Sequence, residues 1–153
     1  MKYLFLDIDG VLNSEDFFNA CHAKHPQDRD YDREIDPRAA ALLDRIARDT
    51  GARIILSSSW RVRMAETARA LRDAGLNTPV SDCTPTLPTR IRGKEIEAFL
   101  RCHPYTQYAI LDDDSDFLPE QEPHLVRTLW KTGFTPEDAK KAIEILNADA
   151  ENL

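Results

Sequence analysis

At 153 residues, with 42% hydrophobic and 31% charged content, the chain has the length of one globular domain and a composition that excludes disordered and fibrous classes. The formal net charge of -7 shows no bulk basic footprint of a nucleic-acid binder. No apolar run approaches the roughly 20 residues that cross a bilayer, and the N-terminus lacks the features of a signal peptide, so the cytoplasm is the expected compartment. Cys21, Cys83 and Cys102 are odd in number and widely spaced, which predicts neither a disulfide framework nor a zinc site. Arg61, Arg63, Arg90 and Arg92 nevertheless form a locally positive group.

In chain order, KYLFLDI at 2–8 reads as a buried strand ended by Gly10. Residues 14–36 are polar and irregular, with a small apolar knot at Phe17 and Phe18 and the charged run QDRDYDRE, and are expected to form an excursion or flap. A helix starts at Asp36 as cap with Pro37 in its first turn, presents Leu42, Leu43 and Ile46 on one face, and stops at Gly51. RIIL at 53–56 is a second strand running into Ser57, Ser58 and Ser59. A helix over 62–74 carries Met64, Ala68 and Leu71 at helical spacing and ends at Gly75. Val80 opens a short strand inside a proline-punctuated loop over 77–92. A helix over 94–102 offers Ile96, Phe99 and Leu100 to the core, and YAIL at 108–111 is another apolar strand ending in the acids DDDSD. HLVRT at 124–128 is a last strand, and TPED at 135–138 reads as a capping box opening a helix with Ala139, Ile143 and Leu146.

Strands alternating with helices predict an α/β fold: three layers, a mostly parallel Rossmann-like sheet, helices on both faces. Ligands of such sheets sit beyond the carboxyl ends of the strands, where this chain places Asp7 and Asp9, Ser57, and Asp112 and Asp113. Two like charges about 4 Å apart repel by roughly 4 kcal/mol at an effective dielectric near 20, so four converging carboxylates call for a cation. An all-oxygen donor set without nearby histidine or cysteine favours Mg²⁺, whose shell substrate phosphate often completes. Asp7 is then a competent nucleophile toward phosphorus, forming an aspartyl-phosphate. Asp9 can protonate the leaving group and later activate water. Ser57, with Ser58 beside it, can donate to phosphoryl oxygens, and either Arg92 or Lys94 can neutralise the transferring group.

These residues resemble the haloacid dehalogenase superfamily. DIDGVL resembles its first motif, the DxDx(T/V) signature of its phosphatases; Ser57 after RIIL resembles the second. RGKEIEAFL resembles the third, with Arg92 at the usual lysine position or Lys94 two residues on, and ILDDDSD resembles the fourth, with Asp112 and Asp113 on the metal and Asp116 a weaker candidate. More narrowly, SSSWR, RGKEI, LDDDSDF and the tail from HLVRT to KKAIEIL look like the haloacid dehalogenase-like modules of Swiss Army Knife RNA repair proteins, related to polynucleotide kinase phosphatase domains. The resemblance implies a magnesium-dependent phosphatase of phosphomonoesters, a nucleic-acid end among the candidate substrates. Neither interval that houses a cap domain in this superfamily is long enough for a full one, so a minimally capped, open site is expected over one domain.

Plainer readings stand beside these. The first acid pair can cap a turn, and DDDSD alone can be a solvated turn; neither has the loop pattern of an EF-hand. Arg61, whose S-x-R spacing from Ser59 is similar to that of end-processing phosphatases, serves equally as a phosphate contact or a surface salt bridge. Cys21, His22 and His25 lack a fourth ligand and read as surface helix or flap rather than zinc site. Trp60 and Trp130 read as packing residues, with Trp60 also placed to stack on a base. Alternative functions are a small-molecule or nucleotide phosphatase and, from another class, a non-catalytic module binding metal or phosphate.

Overall fold

The computed structural model describes residues 1–24, 26 and 35–149. Five strands, β1 (Lys2–Leu6), β2 (Arg53–Leu56), β3 (Val80–Cys83), β4 (Gln107–Asp112) and β5 (Leu125–Arg127), form one sheet in the order β3-β2-β1-β4-β5. Every pairing is parallel. Among the described residues five α-helices surround it: α1 (Glu15–Lys24), α2 (Pro37–Thr50), α3 (Met64–Asp73), α4 (Arg92–Cys102) and α5 (Pro136–Asn147).

Alternation along the strands divides the core in two. Leu4, Leu6, Ile54, Leu56, Ala109 and Leu111 pack with Leu43 and Ile46 of α2, Leu71 of α3 and Leu146 of α5. Tyr3, Phe5, Ile55, Tyr108 and Ile110 pack on the opposite face with Ile96 and Phe99 of α4. The expected three-layer arrangement with helices on both faces is therefore present. Among the described residues no helix is long and apolar enough to cross a membrane.

Local chemistry explains the borders. Asp36 caps α2 by accepting from the Arg38 amide, and the Gly51 amide donates to the Ala47 carbonyl at the other end. Thr135 and Asp138 form the reciprocal capping box of α5. The helix expected over 62–74 is divided: a 3-10 turn runs over Ser59–Arg63, with Ser58 as its cap, and α3 follows.

One reading is corrected. Residues 15–24 are not irregular but form α1. Ser14 accepts from the Phe17 amide, while the Glu15 and Asp16 amides donate to the carbonyls of Trp130 and Lys131. The helix buries none of its residues, so it carries no apolar stripe by which its sequence announces a helix. Cys21 and His22 lie on it, as the surface-helix reading expects; His25 and the charged run at 27–34 lie outside the described residues.

Candidate active site

The strand order makes β1 central, with the chain proceeding to β2 on one side and to β4 on the other. Such a reversal opens a crevice at the carboxyl ends of the two strands. Leu6 pairs with Leu111, and the Asp7 amide donates to the Leu111 carbonyl at 3.0 Å. Parallel register thereby brings Asp7 against Asp112 although 105 residues separate them. Ligand atoms of Asp7, Asp112 and Asp113 all lie within 4.8 Å of one another.

Gly10 lets the third acid approach. Its φ is +81°, and a Cβ there would fall 2.1 Å from Oδ2 of Asp113, so both the backbone conformation and the space demand glycine. Thr128, just past β5, fastens the same turn from behind, donating its hydroxyl to the Gly10 carbonyl at 2.7 Å.

Arg92, at the start of α4, bridges two of the acids through one nitrogen, at 3.0 Å from Asp7 Oδ1 and 2.8 Å from Asp112 Oδ2. Its backbone amide donates to Asp116 Oδ2, so Asp116 caps the helix carrying the arginine rather than joining the acidic group. Lys94 is exposed on α4. Of the two basic residues, Arg92 is the one that meets the acids. Gly93 permits this entry, since a Cβ on it would fall 2.6 Å from Gln121 Oε1 and 2.8 Å from the Leu118 amide nitrogen.

Three negative charges face one guanidinium, and the electrostatics register the excess. Asp7 is pushed up to about 7, first by burial and then by the charge of Asp112, against the pull of Arg92 and the Ile8 amide. Burial raises Asp112 and Asp113 as well. For Arg92, burial works against the charged form, but Asp7 and Asp112 outweigh it and hold the guanidinium charged. Three clustered carboxylates with a surplus of two negative charges after Arg92 fit a hard divalent cation.

Asp9 stands apart from this group. Its carboxylate accepts from Trp60 Nε1 at 3.0 Å and from Asn13 Nδ2 at 3.1 Å. The four-acid cluster expected from the sequence is three acids here, because these two donors hold the fourth aside. Neither Trp60 nor Asn13 carried this role in the sequence reading. Trp60 is 51 residues from its acceptor, and only proximity in the fold reveals the bond.

Ser57 is fully buried at the end of β2, and its hydroxyl has no hydrogen-bond partner among the described residues. An orphaned buried hydroxyl costs free energy unless something donates to it or accepts from it. The neighbouring Ser58 hydroxyl, by contrast, accepts from the Trp60 amide as a turn cap. Arg61 is not a surface salt bridge. Its side chain is 10% exposed and pairs at 2.8 Å with Glu95, itself 3% exposed, while its Nε donates to Thr86 Oγ1. Trp130, expected to pack inside, is 46% exposed and meets only the ring of Phe18 among the described aromatics.

The family described as "HAD domain in Swiss Army Knife RNA repair proteins" matches residues 3–139. No curated protein and no solved structure matches the chain. A match covering both arms of the sheet, together with an acid cluster where β1 and β4 end, places this chain in the haloacid dehalogenase domain family of Swiss Army Knife RNA repair proteins.

Proposed function

We propose that the chain is a phosphohydrolase that cleaves phosphomonoesters through an aspartyl-phosphate, with a nucleic-acid end as its substrate class. The observation that carries this reading is the meeting of Asp7, Asp112 and Asp113 beside a guanidinium and an unsatisfied serine hydroxyl.

Asp7, Asp112 and Asp113 would hold Mg²⁺, which when bound lowers the charge repulsion between the acids and substrate phosphate. The remaining chemistry belongs to the chain. One Asp7 carboxylate oxygen attacks phosphorus, the bond to the ester oxygen breaks, and Asp9 supplies the proton that the leaving oxygen takes. Asp9 then takes a proton from water as it attacks the aspartyl-phosphate, which releases inorganic phosphate and restores Asp7. Asp9 suits this exchange by its place: it is exposed and stands two residues from Asp7. The Ser57 hydroxyl finds in a phosphoryl oxygen the acceptor the protein does not provide, and Arg92 offsets charge on the transferring group.

Two features support a large substrate. The acid-base residue is open to solvent, and Trp60, whose indole nitrogen binds Asp9, lines a cavity of about 350 Å³ where a base can stack. The free thiols of Cys83 and Cys102 fit a reducing compartment, and the cytoplasm is the proposed one.

Phosphate release from an aryl phosphate and from a phosphorylated oligonucleotide, with and without Mg²⁺, tests the reading. Metal-dependent release that disappears in Asp7→Asn is the expected result, with the oligonucleotide preferred over free nucleotides. Preference for free nucleotides would instead mark a nucleotide phosphatase. No release from any phosphomonoester, with the metal bound normally, would mark a non-catalytic binding module.

A further inference from the structure

Next to the acids lies a second cavity, of about 430 Å³, lined by Ser59, Arg61, Thr86, Arg90, Arg92 and Glu95. Its volume is that of a small-ligand site. Arg92 belongs both to this cavity and to the acidic cluster, so the two spaces adjoin. With Val62 its lining comprises seven residues, three of them arginines, and its single acid is already committed. Glu95 Oε2 pairs with Arg61 Nη2 at 2.8 Å, and Glu95 Oε1 accepts from the Leu87 amide at 3.1 Å.

That buried carboxylate arranges two cations at once. On one side it holds Arg61. On the other it pins the turn from Leu87 to Arg90, which closes through the Arg90 amide and the Leu87 carbonyl at 3.0 Å. Arg90 sits in that turn at φ +54°, a conformation that costs a side-chain-bearing residue of the order of 1 kcal/mol, and it makes no ion pair among the described residues.

Arg61 supplies the independent sign of a ligand. Its side chain is nine-tenths buried, yet Nη1 is buried with no acceptor among the described residues. The protein satisfies Nε through Thr86 and Nη2 through Glu95 and leaves the third nitrogen unmatched. A buried guanidinium nitrogen without an acceptor is costly, and a phosphate oxygen is a strong, charged acceptor for that one remaining nitrogen.

We propose that this cavity binds a second phosphate group of the substrate, held by Arg61 and Arg90, while the phosphate to be cleaved lies over Asp7. The inference rests on the phosphohydrolase reading and narrows it: the substrate carries two phosphates on neighbouring positions, as a nucleoside 3',5'-bisphosphate or a terminally phosphorylated strand does. A monoester with one phosphate fills only the first position.

Binding separates this proposal from the activity. Asp7→Asn protein with Mg²⁺ is titrated calorimetrically with a nucleoside monophosphate, a nucleoside 3',5'-bisphosphate and a phosphorylated dinucleotide. The second phosphate is expected to tighten binding by on the order of tenfold or more, an advantage that shrinks as salt rises. Adding Arg90→Gln, an exposed position, is expected to remove most of that advantage, measured as the ratio of the two affinities. Arg61→Gln should do the same, and Arg90→Gln keeps the test valid should loss of the buried pair unfold the chain. Tighter binding of the bisphosphate alone assigns the second phosphate to a small molecule; tighter binding of the dinucleotide assigns it to a strand. Equal affinity for all three, or an unchanged ratio in Arg90→Gln, overturns the proposal even if phosphate release is observed with wild type. A preserved preference without any hydrolysis overturns the phosphohydrolase reading and leaves the second phosphate site standing.

Discussion

Ser57 is the residue whose meaning changes most between a folded protein and a working one. Its hydroxyl is buried and has no partner among the described residues, so Ser57→Ala removes a group that costs stability and leaves a methyl in its place. The expected result is a urea midpoint equal to or above that of the wild type, with kcat/KM on an aryl phosphate lowered about tenfold or more. A serine that merely ends a strand would leave the rate unmoved. Gly10→Ala is expected to act in the opposite sense. The left-handed backbone alone costs about 1–2 kcal/mol, and the added methyl displaces Asp113. Both the urea midpoint and the calorimetric affinity for Mg²⁺ should fall. Arg92→Lys tests the planar contact: a lysine keeps the charge but loses the guanidinium geometry. The KM for phosphomonoester is expected to rise.

At the scale of elements, α4 organises the site more than any other helix. Its first turn carries Arg92, its N-terminus is tied to Asp116, and its buried Glu95 holds Arg61 and the turn at 87–90. Removing one partner of a buried pair strands the other charge. Glu95→Ala is therefore expected to cost about 3–5 kcal/mol in urea unfolding. Glu95→Gln, which keeps an acceptor for the Leu87 amide, should cost less. The helix was legible in sequence from Ile96 and Phe99 at helical spacing, but its start was read two residues late, because Arg92 and Gly93 are fixed by Asp116 and Gln121 from a distant loop. Of α1, only the end around Cys21 and His22 was read, as surface helix or flap. Phe17 and Phe18 are only half-buried, and the helix is anchored through backbone carbonyls of Trp130 and Lys131, which no local pattern reports.

For the whole molecule, the acid cluster sets how stability depends on pH. Asp7 has an ordinary value of 3.8 and is raised to about 7 in the fold. Between those values the folded chain holds a proton that the unfolded chain has released, so metal-free stability falls as pH rises through that window. For Asp7 the shift corresponds to on the order of 4 kcal/mol, and burial moves Asp112 and Asp113 in the same direction. In chelator, Tm is expected to drop from pH 5 to pH 8, and the drop should shrink in Asp7→Asn. Mg²⁺ should raise Tm more at pH 8 than at pH 5, since it binds the ionised acids. A chelated wild type whose Tm rises over the same interval, with Asp7→Asn unchanged, would contradict this account.

What the sequence determined by itself was the alternation of strands and helices, the caps at Asp36 and Thr135, and the placement of acids and a serine where strands end. These are signals written within a turn or a single strand, so they need no knowledge of the rest of the chain. The tertiary structure alone decided that Arg92 rather than Lys94 meets the acids, that Trp60 and Asn13 hold Asp9 out of their cluster, and that Arg61 is buried against Glu95. Each of those choices depends on parallel register and helix placement, which bring together side chains from separate elements at distances that no local periodicity encodes.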